Sequence, residues 1–450
     1  MDQPLETYQD EIYLAGLGGV TPDLPTDLNE LERAADGRLT PGAYAYIAGS
    51  AGSGDTAREN REAFRRWRIV PRMLTDVSSP SYASTVLGAD LAVPFLLAPV
   101  GVLGLAHPGG EVAVARAAAG CGVPMVLSTA SSTAMEEVAE ASGDGQRWFQ
   151  LYWPQDRAVA ASFLARAKAA GFTALVITLD TRLLAWRPRD LDQSFQPFLR
   201  GIGIQNYLTD PAFQSSLAAL APADLAASAP ADLAAAPASA DPAMSAPADL
   251  AAAPASADPA SADPASADPA SADPASADPA SADLAAAILQ FTRIFGDRTL
   301  TWDDLSFARD HWDGPIVVKG VLSVADAERA AAAGMDGIIV SNHGGRQVDG
   351  AIAALDALPA IAAAVGSRIT VLFDSGIRGG SDMLKALALG ARAVLIGRPY
   401  AFGLGLGGED GVRHVLRVLR NEFELTMRLS GYASLDELCP QSLVRAGQSS

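Results

Sequence analysis

His343 and Arg346 are separated by two glycines and directly follow an apolar run at 337–340. Such a run is typical of a buried strand, and barrel enzymes carry their chemistry where the strands end. An imidazole can move a proton near neutral pH, and a guanidinium can hold a carboxylate through two parallel hydrogen bonds. The pair therefore predicts a site for an organic acid, although a lone histidine is also typical of a loop cap.

A second group of glycines and arginines follows the last two apolar runs of the chain. The two turns, at 374–380 and 397–399, contribute Asp374, Gly376, Arg378, Gly397 and Arg398. Glycine-rich turns expose backbone amides, and amides together with arginines favour a phosphate group. The first apolar run is not followed by a GxGxxG turn, so a Rossmann nicotinamide site is not predicted.

Eight short apolar runs recur along the chain. They lie at 94–100, 124–128, 148–152, 174–179, 315–319, 337–340, 369–373 and 393–396. Most are separated by Ala-rich segments with helical spacing, as at 111–119 and 325–333. Strands without polar alternation are buried on both faces, as in parallel sheets that helices cover. The pattern predicts the α/β class and a (β/α)8 TIM barrel, with a doubly wound sheet as the alternative.

The barrel is predicted at 76–430, after an N-terminal helical segment at 1–75. The C-terminal tail at 431–450 is predicted to pack on the barrel or on a neighbouring molecule and then to fray. A low-complexity block at 222–287, almost entirely Ala, Pro, Asp and Ser, interrupts the barrel after the fourth run. Its regularly repeated prolines oppose helices and sheets, and too little apolar surface remains to offset the entropy of ordering. We predict a disordered insertion, either a passive repeat expansion or part of a lid.

Composition narrows the function classes. Of the 450 residues, 49% are hydrophobic, so a large core can form. The net charge is −19, and without the ten aspartates of the low-complexity block it would be −9. An acidic chain without a basic stripe is a poor candidate for binding nucleic acid or an anionic membrane. Two cysteines, Cys121 and Cys439, and an N-terminus unlike a signal peptide predict a cytoplasmic protein; no metal site is predicted.

The stretch at 341–350 resembles the active-site signature of the FMN-dependent α-hydroxy-acid oxidising family. This family includes glycolate oxidase, lactate oxidase, lactate 2-monooxygenase and mandelate dehydrogenase. The resemblance covers the whole barrel except the low-complexity block. It implies a TIM barrel that uses FMN to oxidise an (S)-2-hydroxy acid, and it implies a homo-oligomer, since barrels of this family usually form tetramers.

The resemblance also implies which residues contact FMN. Ser128, Gln150 and Thr178 match residues that hydrogen-bond the flavin ring. Lys319 matches a lysine beside the flavin N1 and C2 carbonyl, and a lysine that reaches out to solvent is the alternative. The remaining matches, from the N5 side of the ring to the ribityl chain and the phosphate, are Pro99, Gly101, Ser341, Asp374, Gly376, Arg378, Gly397 and Arg398. Gly101 departs from the alanine of several oxidases, which leaves the electron acceptor open.

For the substrate, the resemblance implies that Arg187 and Arg346 clamp the carboxylate and that Tyr46 adds a hydrogen bond. His343 then takes either the hydroxyl proton as hydride leaves, or the proton on C2. Asp180 stabilises the imidazolium that forms, and Tyr152 hydrogen-bonds the developing oxygen. An Asp180–Arg182 salt bridge is the alternative for the aspartate.

Within the family, the stretches at 183–191 and 197–201 and the long fourth loop resemble lactate 2-monooxygenase. That resemblance implies L-lactate and O2 as substrates, with acetate, carbon dioxide and water as products. One alternative is an oxidase that releases pyruvate and hydrogen peroxide, and another is a dehydrogenase that passes electrons to a quinone or a protein. A non-catalytic scaffold that displays the repeat is the alternative from another class.

Overall fold

The computed structural model describes residues 7–219 and 279–447. Within them, eight parallel strands, β1 to β8, close into a barrel in chain order, with β8 paired to β1. The strands are Phe95–Leu97, Met125–Ser128, Arg147–Tyr152, Leu175–Thr178, Ile316–Val321, Gly337–Val340, Thr370–Phe373 and Ala393–Ile396. One strand lies at each predicted apolar run, so the predicted TIM barrel is confirmed.

Helices precede the barrel, cover it and fill its fourth loop. The N-terminal helices are Tyr8–Leu17, Glu30–Ala35, Pro41–Ala48 and Asp55–Arg65. The helices around the barrel are Gly110–Gly120, Met135–Ser142, Arg157–Ala169, Leu305–His311, Val324–Ala332, Ala354–Val365, Gly380–Ala388 and Arg398–Leu429. The loop after β4 contains Pro188–Asp192, Gln205–Leu208, Pro211–Ala218 and Pro279–Ile294. Across the described ranges, none of the helices has the length and apolar character needed to cross a bilayer.

A hairpin that the sequence did not predict closes the amino-terminal end of the barrel. Its strands, Ser84–Val86 and Ala89–Leu91, pair antiparallel. Their buried apolar residues form one cluster with the inward-facing residues of the barrel strands, such as Trp148 and Val317. Because this end is filled by apolar side chains, the carboxyl-terminal end is left for a polar site.

The C-terminal tail pairs with a short strand that precedes the barrel. Trp67–Ile69 pairs antiparallel with Leu443–Arg445. The C-terminal tail therefore lies against the segment that precedes the barrel. The backbone hydrogen bonds of this strand pair hold the tail there as far as Arg445. Sequence periodicity did not reveal either strand, because three residues are too few to show alternation.

The predicted insertion at 222–287 falls mostly outside the described residues, which resume at 279. The predicted C-terminal boundary of the disordered insertion is wrong. Pro279–Ile294 is a helix, so disorder does not extend to Ala287. No proline follows Pro279 within this helix, and Ala287, Ile288 and Phe291 repeat at helical spacing and are buried. The buried stripe packs on the other helices of the loop, where the Phe291 ring lies 4.9 Å from the ring of Tyr207.

Two deletions distinguish the passive part of the insertion from this helix. Replacing residues 222–278 by a short Gly/Ser linker should leave the melting temperature close to that of the parent protein. Extending the deletion to Ala287 should lower it by several degrees, because the helix then loses its first half and part of its buried stripe. Equal melting temperatures for the two deletion variants, measured by calorimetry, would show that the helix does not contribute to stability.

Candidate functional site

A cleft with about 1050 Å³ of empty space opens at the carboxyl-terminal ends of the barrel strands. The predicted site residues that line it are Tyr46, Pro99, Gly101, Tyr152, Arg187, Lys319, His343, Arg346, Asp374, Gly376, Arg378, Gly397 and Arg398. The other five, Ser128, Gln150, Thr178, Asp180 and Ser341, lie behind them at the strand ends. They touch the lining residues or one another: Asp180 bonds His343, Ser341 bonds Lys319, Ser128 bonds Gln150, and Thr178 pairs in register with Lys319. The structure thus brings all the predicted site residues together.

His343 is held by a carboxylate. Its Nδ1 lies 2.7 Å from Oδ1 of Asp180 and 3.3 Å from Oγ1 of Thr181. Burial alone would raise the pKa of Asp180, but His343 and Lys319 outweigh it and lower that pKa to about 2. Burial lowers the pKa of His343, and Asp180 offsets only part of this effect. The ionised carboxylate therefore accepts a hydrogen bond from Nδ1–H of a neutral imidazole, which leaves Nε2 as the basic nitrogen.

The turn that carries His343 has an unusual backbone. His343, Gly344 and Gly345 have φ values of 58°, 65° and 76°, which is the left-handed region that costs about 1–2 kcal/mol for a residue with a side chain. A Cβ at Gly345 would lie 2.5 Å from the backbone nitrogen of Ala57, so only glycine fits there. The Oγ of Ser375 accepts a hydrogen bond of 3.0 Å from the backbone N–H of Gly344 and helps to hold this conformation.

A reciprocal amide pair fixes the same turn from the other side. The side chains of Asn60 and Asn342 each donate a 2.8 Å hydrogen bond to the other, and both residues are buried. Asn342 also accepts from the backbone N–H of Gly345. This pair joins the helix Asp55–Arg65 to the turn, so the N-terminal segment is part of the site. Asn342 caps the turn, so the alternative in which His343 is the loop cap is wrong.

Two arginines lie side by side at one end of the cleft. Arg346 donates to the carbonyl oxygens of Tyr46 at 2.6 Å and Gly49 at 2.9 Å, and Nε of Arg187 donates to the carbonyl of Arg346 at 3.0 Å. Gln347 accepts from Nη2 of Arg187 at 2.7 Å. Burial and then the neighbouring Arg187 lower the pKa of Arg346 to about 10. Two adjacent guanidinium groups with so little counter-charge favour an anionic ligand.

The tyrosines beside these arginines stay protonated at neutral pH. Burial raises the pKa of both Tyr46 and Tyr152 above the ordinary value. Each hydroxyl can therefore donate a hydrogen bond into the cleft.

Lys319 is buried and charged. Its Nζ lies 3.0 Å from Oγ of Ser341 and 3.1 Å from Oδ2 of Asp374. Burial lowers the pKa of this lysine, but Asp374 and Asp180 outweigh that effect and raise it. The alternative of a lysine reaching solvent is wrong, because the side chain is 4% exposed and paired inside the barrel mouth.

Arg378 and Arg398 add further positive charge to the cleft, and Arg398 donates to the same Gly49 carbonyl as Arg346 does. Burial and then nearby arginines lower the pKa of Arg378 to about 10 and that of Arg398 to about 9. The turn before the helix Gly380–Ala388 supplies a close backbone, since a Cβ at Gly376 would lie 2.8 Å from the carbonyl oxygen of Asn60. A doubly charged phosphate placed here would relieve the repulsion and face the amino-terminal end of a helix.

Buried polar atoms at the strand ends point to a ligand with hydrogen-bonding edges. Within residues 7–219 and 279–447, Nε2 of Gln150 and Oγ1 of Thr178 are buried and have no hydrogen-bond partner. An unpaired buried donor costs free energy unless a ligand takes the bond. The residues present therefore fit FMN, whose ring carries hydrogen-bonding edges and whose tail ends in a phosphate.

Glu111 belongs to this site, although the sequence did not single it out. Its fully buried carboxylate accepts from the backbone N–H groups of Leu103 at 3.1 Å and Ser132 at 2.9 Å. It thereby joins the loops after β1 and β2, which place Gly101 and Ala130 on the cleft wall. The one signal was an acidic residue in an otherwise Ala-rich helix, Gly110–Gly120.

Comparison with known proteins gives the same assignment. Residues 35–445 match the family model described as FMN-dependent dehydrogenase. The chain belongs to the FMN-dependent α-hydroxy-acid oxidising family. It is a flavoprotein with FMN as its cofactor, and it oxidises a 2-hydroxy acid.

Several members of this family resemble the chain over nearly its full length. An FMN-dependent alpha-hydroxy acid dehydrogenase of Schizosaccharomyces pombe is 39% identical over 95% of this chain and 93% of its own. An L-lactate oxidase of Lysinibacillus sphaericus is 36% identical over 98% of this chain and 97% of its own. A crystal structure of mandelate oxidase superposes with a TM-score of 0.71 at 33% identity, over 94% of this chain and 98% of that one.

Thr178→Val tests whether the unpaired hydroxyl serves FMN. The substitution keeps the shape of the side chain and removes a buried hydroxyl that has no protein partner, so the melting temperature of the FMN-free protein should not fall. The dissociation constant for FMN should rise about fivefold, the equivalent of one net hydrogen bond. Flavin fluorescence quenching measures it. Thr173→Val, at an exposed position at the other end of the barrel, is the control, and equal FMN affinity of both variants would contradict the assignment.

Proposed function

We propose that this family member acts on L-lactate with O2 and releases acetate, carbon dioxide and water, as lactate 2-monooxygenase does. The observation that carries the oxidation chemistry is the His343–Asp180 pair at 2.7 Å, next to two buried arginines that share one nearby carboxylate, Asp190, which lies 3.9 Å from Nη1 of Arg187. The pair provides a base, and the arginines provide the place for a carboxylate. Lactate brings both groups together on adjacent carbons.

The carboxylate lies between Arg187 and Arg346 in this proposal, and the hydroxyl of Tyr46 donates a further hydrogen bond. Both guanidinium groups are already fixed by carbonyl and amide oxygens, so little entropy is lost when the anion binds. The clamp turns the hydroxyl-bearing carbon toward His343. Such positioning supplies a large part of a rate enhancement.

His343 takes the proton at Nε2. When bound, FMN supplies the two-electron acceptor. Whether the proton comes from the hydroxyl group as hydride leaves, or from C2, the imidazolium that forms is stabilised by Asp180. Tyr152 donates to the substrate oxygen while its C–O bond gains double-bond character.

FMN is held, in this proposal, by three groups of residues. Ser128, Gln150, Thr178 and Lys319 contact the polar edge of the ring, Pro99 and Gly101 line the N5 side, and Ser341 orients Lys319. The ribityl and phosphate contacts are Asp374, Gly376, Arg378, Gly397 and Arg398. The orphaned donors behind the ring and the depressed pKa values of the two arginines support this arrangement.

The choice of monooxygenase chemistry rests on the stretches at 183–191 and 197–201 and on the long fourth loop. Gly101 replaces the alanine of several oxidases. An alanine would be crowded at this position, because its Cβ would lie 2.8 Å from the carbonyl oxygen of Ala130. The alternatives are an oxidase that releases pyruvate and hydrogen peroxide, and a dehydrogenase with a quinone or protein acceptor. Relatives named L-lactate oxidase favour lactate in either case. Homo-oligomerisation and a cytoplasmic location stay predictions.

Anaerobic addition of L-lactate to the purified holoprotein tests the proposal. The visible flavin band should bleach, and readmission of air should restore it and give acetate in place of pyruvate and peroxide. His343→Ala is the control: it should keep FMN and the yellow colour but bleach far more slowly. Stoichiometric peroxide would favour the oxidase, and a reduced protein that air does not reoxidise would favour the dehydrogenase. A protein that no hydroxy acid bleaches would contradict the proposed site.

The dependence of kcat/KM on pH tests the histidine–aspartate pair. A base must be neutral, and burial holds the pKa of His343 below its ordinary value, so activity should fall only at a pH lower than that value. Asp180 raises the pKa of His343, so Asp180→Asn should shift this acid limb to still lower pH. It should also lower kcat by roughly 100-fold, because the imidazolium loses its counter-charge.

Arg182→Ala is the control for the pH measurement. Asp180 pairs with His343 and not with the exposed Arg182, which overturns the alternative salt bridge. The control should therefore keep the pH profile of the parent enzyme. An unchanged acid limb in Asp180→Asn would show that the carboxylate does not set the pKa of the base.

A further inference from the structure

The cleft has one wall that none of the proposed roles uses. Leu184, Phe198 and Phe295 line it with hydrocarbon and aromatic surface, whereas the residues assigned to the carboxylate and the proton are all polar. The rings of Phe198 and Phe295 lie 5.5 Å apart, and the ring of Phe295 lies 5.5 Å from that of Tyr152. The apolar wall thus borders the place where the reacting carbon is held.

A 2-hydroxy acid presents three groups on C2 besides hydrogen: the carboxylate, the hydroxyl and one carbon substituent. Arg187, Arg346 and Tyr46 occupy the first, and His343 and Tyr152 occupy the second. The substituent is left to face the apolar wall. A charged or polar substituent there would lose its water without gaining a partner, which costs several kcal/mol, so the wall selects an apolar substituent.

Phe295 reaches this wall from the fourth loop. It directly follows the helix Pro279–Ile294, whose Phe291 is 1% exposed and packs 4.8 Å from the Phe295 ring. Phe291 contacts the same aromatic cluster but does not line the cleft. The helix therefore offers two neighbouring phenylalanines, one facing the cleft and one facing the core.

We propose that Phe295 limits the length of the apolar substituent that the enzyme accepts on C2. This inference rests on the proposed carboxylate clamp and base, which orient the substrate. A ring packed between Phe198 and Tyr152 cannot swing aside without disturbing these neighbours. A short substituent such as the methyl group of lactate fits in front of the ring, and a branched chain meets it.

The test compares two substrates and three proteins. kcat/KM is measured for L-lactate and for (S)-2-hydroxy-4-methylpentanoate with the parent enzyme, Phe295→Ala and Phe291→Leu. Phe295→Ala should raise the ratio of branched to short substrate by about tenfold or more, since each methylene accommodated in an apolar pocket changes discrimination by at least this factor. Phe291→Leu keeps an apolar side chain behind the wall and leaves the Phe295 ring against Phe198 and Tyr152, so it should leave the ratio nearly unchanged. If the alanine variant does not fold, Phe295→Leu replaces it in the same comparison.

Binding without turnover provides a second readout. Calorimetric titration of the oxidised holoprotein with pyruvate and with 4-methyl-2-oxopentanoate should show the same shift in affinity ratio for the Phe295 variant. An unchanged ratio in both measurements, with lactate still oxidised, would overturn the role of Phe295 and leave the proposed function standing. A parent enzyme that oxidises neither acid would instead overturn the proposed function.

Discussion

The structure depends on cations gathered in a desolvated cleft. Arg187, Arg346, Arg378, Arg398 and Lys319 meet in the mouth of a barrel whose chain carries a net charge of −19. Burial of unpaired charge is costly, and the depressed pKa values of three of these arginines express that cost. Backbone carbonyls and Asp374 satisfy part of it. In the proposed function, the phosphate of FMN and the carboxylate of a hydroxy acid supply the remaining negative charge, so the ligands complete the site.

The segment ahead of the barrel also holds the turn that carries His343. Its helix Pro41–Ala48 and the residue that follows offer carbonyl oxygens to Arg346 and Arg398, and its helix Asp55–Arg65 supplies Asn60 to the turn. These contacts keep three successive residues, from His343 to Gly345, in a left-handed conformation that an isolated loop would leave. A base fixed in this way keeps its orientation without help from the substrate.

The fourth loop supplies the apolar wall of the cleft. Its two described portions, on either side of residues 220–278, join through one aromatic cluster in which Phe198, Tyr207, Phe213 and Phe291 pack edge to face or tilted. Phe295 extends this cluster to the cleft wall. The aromatic packing thus connects the chain on both sides of the insertion to the wall of the cleft.

The sequence by itself determined the barrel and the members of the site. Continuous apolar runs specify strands buried on both faces, and polar residues at their ends meet because parallel strands share one end. The tertiary structure alone decided how those residues are held. The reciprocal bond of Asn60 and Asn342 joins residues 282 positions apart, and Glu111 connects two loops. Phe295 reaches the cleft at the end of a helix whose first half, up to Ala287, the composition predicted to be disordered. Such contacts depend on the relative placement of distant segments, and neither composition nor periodicity carries that information.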